Sequence, residues 1–71
     1  MMVVSSTGTY VVPFDQCIWK CECRDGGGGT IIAIHNNKEI EMLVNSNFKE
    51  TYKRYKEIQK AYKKRKRVYL I

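Results

Sequence analysis

Seventy-one residues amount to one small domain, 1–71, with a thin core: a chain of this size buries only about 60% of the surface its unfolded form exposes. The composition, 44% hydrophobic and 28% charged, is globular rather than disordered or collagen-like, and the length excludes a two-domain catalytic cleft or a dinucleotide-binding fold of repeated strand–helix–strand units. The net charge of +6 is unevenly laid out, since residues 1–47 carry three basic against five acidic side chains and residues 48–71 carry ten basic against Glu50 and Glu57 alone. Such asymmetry points to a polyanionic partner, nucleic acid or an acidic protein surface, or to membrane contact.

In chain order, Met1–Val4 is apolar and either pairs as a strand or frays. Residues 9–12 (TYVV) form a short strand that ends at Pro13, which lacks the N–H a strand interior needs. Residues 17–24 alternate, with Cys17, Trp19, Cys21 and Cys23 on the inner face and Ile18, Lys20, Glu22 and Arg24 on the other. Asp25–Gly29 is a flexible hairpin tip. Residues 30–35 (TIIAIH) are β-branched and apolar, and Asn36–Asn37 makes the next turn. Over 39–44, Ile40, Met42 and Val44 point inward, with Glu39, Glu41 and Leu43 outward. Residues 1–44 thus read as an antiparallel meander of three to four strands.

A helix is expected over 45–67. Asn45, Ser46 and Asn47 are all good N-cap residues, and Asn47 with Glu50 resembles a capping box. No Gly or Pro follows. Phe48, Tyr52, Tyr55, Ile58 and Tyr62 repeat at helical spacing, while Lys49, Lys53, Lys56, Lys60, Lys63, Lys64 and Arg67 fall within about 60° of Lys49 on a wheel of 100° per residue. Phe48, Tyr52 and Tyr55 are assigned to packing; Tyr62 and Tyr69 are expected to be more open. Carried to Lys66 the helix is about 28 Å long and overhangs a four-stranded sheet about 14–19 Å across. The apolar tail 68–71 (VYLI) then packs back, joins a sheet edge or docks on another chain. The fold class is α+β: the meander followed by one long basic amphipathic C-terminal helix.

The chemistry-bearing residues read mostly as structural. Cys17, Cys21, Cys23 and His35 offer four zinc-type ligands, but on a strand Cys17 and Cys23 lie about 20 Å apart, too far for tetrahedral zinc. The thiols are read instead as small buried groups beside Trp19. His35 has no nucleophile and third group to work with, and the glycine run leads into a strand rather than the helix a phosphate loop requires. No catalytic residue, metal or cofactor is assigned, and the chain is not expected to be an enzyme. No apolar run nears the roughly 18 residues of a membrane span. The start, MMVVSSTGTY, lacks the basic and apolar segments of a secretory signal. A cytoplasmic location with reduced thiols is expected.

From Gly8 to Tyr55 the pattern of strand, proline step, strand, loop, "T-x-I" strand, "N-K-E" turn and helix resembles the opening half of LytTR-type DNA-binding domains, and is similar to short FlbD-like proteins. The matching positions are Val12, Pro13, Asp15, Ile18, Thr30, Ile32, Asn37, Lys38, Glu39, Val44 and Phe48. The resemblance implies transcriptional regulation. The recognition segment and later strands of LytTR domains have no counterpart here, so no DNA-contacting residue carries over.

Two functions remain in view. One is a small regulatory protein gripping nucleic-acid phosphates through Lys49, Lys53, Lys56, Lys60, Lys63, Lys64, Arg65, Lys66 and Arg67, where a nearly one-signed face departs from the mixed charges of a merely soluble surface. The other is an interaction or inhibitor protein, of the kind phages and mobile elements encode, that forms a homo-oligomer or docks on a larger protein through Tyr62, Tyr69, Leu70 and Ile71.

Overall fold

A computed structural model describes all residues from Met1 to Ile71. The architecture is α+β: strands β1 (Met2–Val4), β2 (Val11–Pro13), β3 (Ile18–Cys23), β4 (Gly29–His35) and β5 (Lys38–Asn45), helix α1 (Phe48–Lys63), and a last strand β6 (Val68–Leu70). The strands divide into two three-stranded sheets rather than one meander. Sheet A has the order β2-β1-β6 and sheet B the order β3-β4-β5. Sheet B is antiparallel throughout, whereas in sheet A β1 runs antiparallel to β2 and parallel to β6.

Sheet B follows from local signals. The Asn36–Asn37 turn has φ of 52° and 64°, the paired left-handed conformation that matches the twist of a two-residue hairpin. Central β4 buries Gly29 through Ala33. Its partner β5 carries a bulge: Ile31 faces Leu43 and Ile32 faces Glu41, so Met42 is left over. The extra residue shifts the alternation by one. Leu43 is therefore drawn to the core and Val44 is 53% exposed, the reverse of a strict two-residue reading. Met42, fully buried, offers its carbonyl oxygen to the Ser6 N–H at 2.9 Å, and this bond ties the end of β1 to sheet B.

The core is a single cluster of Val3, Val12, Ile31, Ala33, Met42 and Ile58, one or more from each of β1, β2, β4, β5 and α1. Phe14, in a short 3-10 turn after β2, braces it from the side. Its ring lies 5.5 Å from that of Trp19 and 4.5 Å from that of Tyr62, and its carbonyl accepts from the Trp19 indole N–H at 2.9 Å. The Tyr55 hydroxyl donates to the Trp19 carbonyl at 3.3 Å, so the helix is keyed to β3 at that point. Cys23, at the far end of this edge strand, is exposed and Cys17 and Cys21 are only half-buried, which corrects the expectation of three buried thiols.

The glycine run is only partly a free tip. Gly28 and Gly29 are buried, and a Cβ on Gly29 would stand 2.7 Å from the Thr51 hydroxyl and 2.8 Å from its Cβ. The start of α1 presses on the strand here, and only a residue without a side chain lets it. Thr51 itself is fully buried and donates to the Asn47 carbonyl at 3.0 Å. Gly29→Ala is expected to lower stability by about 1–3 kcal/mol through overpacking, measured as a fall in urea midpoint with unchanged slope; an unchanged midpoint contradicts the close approach.

Candidate nucleic-acid interface

Helix α1 begins as its sequence indicates. The Asn47 side chain accepts from the Glu50 N–H at 3.2 Å, and that of Asn45 accepts from the Asn47 N–H at 2.8 Å. The helix ends at Lys63, short of Arg67. Arg65 has φ of 60°. Its N–H bonds the Tyr62 carbonyl at 3.0 Å and the Lys66 N–H bonds the Ala61 carbonyl at 3.1 Å. That pair of bonds is a Schellman stop, which normally places glycine where Arg65 stands. The chain then turns back, and β6 pairs with β1 in the register Met2–Val68, Val3–Tyr69, Val4–Leu70. The tail is an edge strand rather than an extension of the rod.

The buried residues of α1 are Thr51, Ile58 and Ala61, centred about 180° from Lys49 on the helical wheel. Phe48 and Tyr55 flank them half-buried, whereas Tyr52 and Tyr62 are each 43% exposed. The packing face is thus turned away from Tyr52, contrary to expectation, because the close approach over Gly29 admits Thr51 and excludes a large ring. Tyr52 stands instead on the border of the lysine stripe, 6.0 Å from the Phe48 ring, with the Lys56 ammonium 4.8 Å above its own ring.

The lysine stripe occupies the opposite pole. Lys49, Lys53, Lys56, Lys60, Lys63 and Lys64 are exposed, as are Arg65, Lys66 and Arg67 beyond the helix. Arg54, outside the stripe expected from the sequence, is exposed about 140° round the helix from Lys49, beside the packing face and near Tyr69. None of these ten cations has a carboxylate oxygen within 4.0 Å. The contrast with sheet B is sharp: on its outer face Lys20 pairs with Glu39 at 3.2 Å and Glu22 at 3.9 Å, and Arg24 with Glu41 at 3.3 Å. The chain's carboxylates neutralise its sheet, not its helix. Lys63, Arg65, Lys66 and Arg67 also line, with Tyr62 and Met1, an open cleft of about 540 Å³ at the helix C-terminus.

Glu57, which sequence spacing offers as relief for the stripe, is engaged elsewhere. It accepts the Tyr69 hydroxyl at 3.1 Å. Tyr69 is therefore half-buried against α1 rather than open, and Ile71 packs against the core, so of the four apolar partner candidates only Tyr62 and Leu70 stand exposed. Burial pushes the Cys17 and Cys21 thiols up, aided by Asp15 and by Cys23 respectively, which keeps both protonated and weakly nucleophilic. No three His, Cys, Asp or Glu side chains gather as a metal site, and no helix is long and apolar enough to cross a membrane. No protein-family model, curated protein or solved structure matches the chain.

Burial, then the hydrogen bond to Glu57 and the charge of that carboxylate, raise the Tyr69 phenol above its ordinary value, with Arg54 opposing. The folded state holds this proton more tightly than the unfolded one. Its stabilising contribution is therefore complete below about pH 10 and is lost as pH rises through the folded value. Tyr69→Phe should cost about 1 kcal/mol at neutral pH and flatten the fall in stability above pH 10 in denaturation titrations. An unchanged alkaline limb rules the contact out.

Proposed function

We propose that the protein binds the phosphate backbone of nucleic acid along the solvent pole of α1. The observation that carries this reading is that all ten cations from Lys49 to Arg67 lack an acidic partner within the chain, although the molecule pairs cations elsewhere. Like charges at i, i+4 cost a few tenths of a kcal/mol each, and condensed counterions released from phosphates would offset that cost. The exposed Tyr52 ring at the border of the stripe adds a flat surface on which an unpaired base can stack. The resemblance of residues 8–55 to LytTR-type domains leans the same way.

Arg65 lends separate support. A non-glycine residue in the left-handed region is strained by about 1–2 kcal/mol, so a glycine stop would be more stable. An arginine held there, among Lys63, Lys66 and Arg67, suits a site that values charge over stability.

Two experiments test the reading. Fluorescence anisotropy with labelled single-stranded and duplex DNA and RNA across a salt series should give a log–log slope of about −4 to −5 if six of these cations, Arg65 among them, each displace a counterion, and Lys56→Glu with Lys60→Glu should weaken binding at least tenfold. Binding at low salt that survives both reversals is incompatible with the proposal. Arg65→Gly should raise stability by about 0.5–1 kcal/mol while lowering affinity and reducing the salt slope by about one; a gain in both stability and affinity would remove the case for a functional arginine.

A further inference from the structure

Sheet A has a second face. Val3, Val12 and Tyr69 point inward, so the alternate residues of the same three strands point out: Pro13, Met2 and Val68 in one row, Val11, Val4 and Leu70 in the next. All six are apolar. Val11 and Val68 are each 54% exposed and Leu70 69%. Tyr69 reaches Glu57 on the inner side, so α1 and its lysines lie across the sheet from this face. Four of the six stand exposed and Val4 and Pro13 are half-buried, and no charged side chain lies among them, whereas the outer face of sheet B carries the Lys20–Glu39 and Arg24–Glu41 ion pairs.

We propose that this face packs against the same face of a second copy about a two-fold axis parallel to the strands. Such an axis lays β2 of each copy over β6 of the other, with Val11 opposite Leu70, Pro13 opposite Val68, and Met2 and Val4 opposite themselves. An uncharged grid of this shape is complementary to itself, and stacked sheets need no more than interdigitating apolar rows about 10 Å apart.

The rim supplies charge complementarity. Asp15 follows Pro13 at the β2 edge, and Arg67 precedes Val68 at the β6 edge, at the same end of the sheet. The axis brings Asp15 of one copy to the end where Arg67 of the other stands, twice. Neither residue has an ion-pair partner in its own chain. The face exposes roughly 400 Å² per copy, within the range of a monomer's largest apolar patch, which is often functional; with its rim the pair buries about 1,000 Å², the range of reversible rather than obligate dimers. The dimer carries its two cationic helices on outward sides, free for ligand.

Sedimentation equilibrium of the full chain over a wide concentration range should show a monomer–dimer equilibrium that persists at high salt, where phosphate binding fades. Mixed-label NMR should give intermolecular contacts from Val11 to Leu70 and from Val4 to Val4. Val11→Thr with Leu70→Thr, at exposed strand positions, should raise the dissociation constant at least tenfold. Asp15→Arg should weaken the dimer and Asp15→Arg with Arg67→Asp should restore it. A monomer at every concentration and salt, which is also the result if a foreign protein covers this face, overturns the proposal. So does a dimer indifferent to the threonine pair, or one whose contacts join Val68 to Val68 as edge-to-edge pairing of β6 requires.

Discussion

The burial of Ile58 in the cluster of Val3, Val12, Ile31, Ala33 and Met42 is the contact on which the rest of the molecule depends. It is the only helical residue in that cluster, and it draws on four strands from both sheets. Once Ile58 is fixed, a rigid helix has no rotational choice. Residues half a turn away must face water, and those residues are the lysines. Thr51 over Gly29 and Tyr55 on the Trp19 carbonyl hold the same rotation at other points along the rod. The cationic surface is thus a consequence of core packing, with no carboxylate oxygen of the chain within 4.0 Å of its lysines.

What could be read from the residues was what is local. The Asn36–Asn37 turn and the Asn47 cap depend on neighbours in sequence, and these features emerged where expected, whereas the alternation through Trp19 holds only in part, with Lys20 half-buried and Cys23 exposed. What escaped was set by distant partners. No residue type marks the Met42 bulge, since it arises from the pairing of β4 with β5 and from the reach of Ser6. Gly28 and Gly29 look like slack but are pressed under Asn45 and Thr51. The helix end was hidden because arginine occupies the glycine place of the stop. The stripe itself was legible, as lysine spacing is local; its isolation from acid was not, because that required knowing where Glu57 and the sheet carboxylates go.

The two halves handle charge in opposite ways. Sheet B spreads Lys20, Glu39, Arg24 and Glu41 across its outer surface so that each cation has an anion at hand, beside buried Ile32. The helix does the reverse and concentrates one sign. The outer surface of sheet A carries no charge at all. Three surfaces of one small body therefore differ in kind: neutralised, cationic and apolar.

The parallel pairing of β1 with β6 bears on how the chain reaches this state. The two strands are separated by everything from Ser5 to Arg67, so their union is the most non-local step in the fold, and such steps are slow. During synthesis β1 must wait, with Val3 unburied on one flank, until Val68–Leu70 has left the ribosome. The hairpins of sheet B and the cap of the helix are local by comparison. Closure of β1 against β6 is therefore the slowest pairing of the fold, and until it forms the first strand lacks its second neighbour while every more local contact can already be in place.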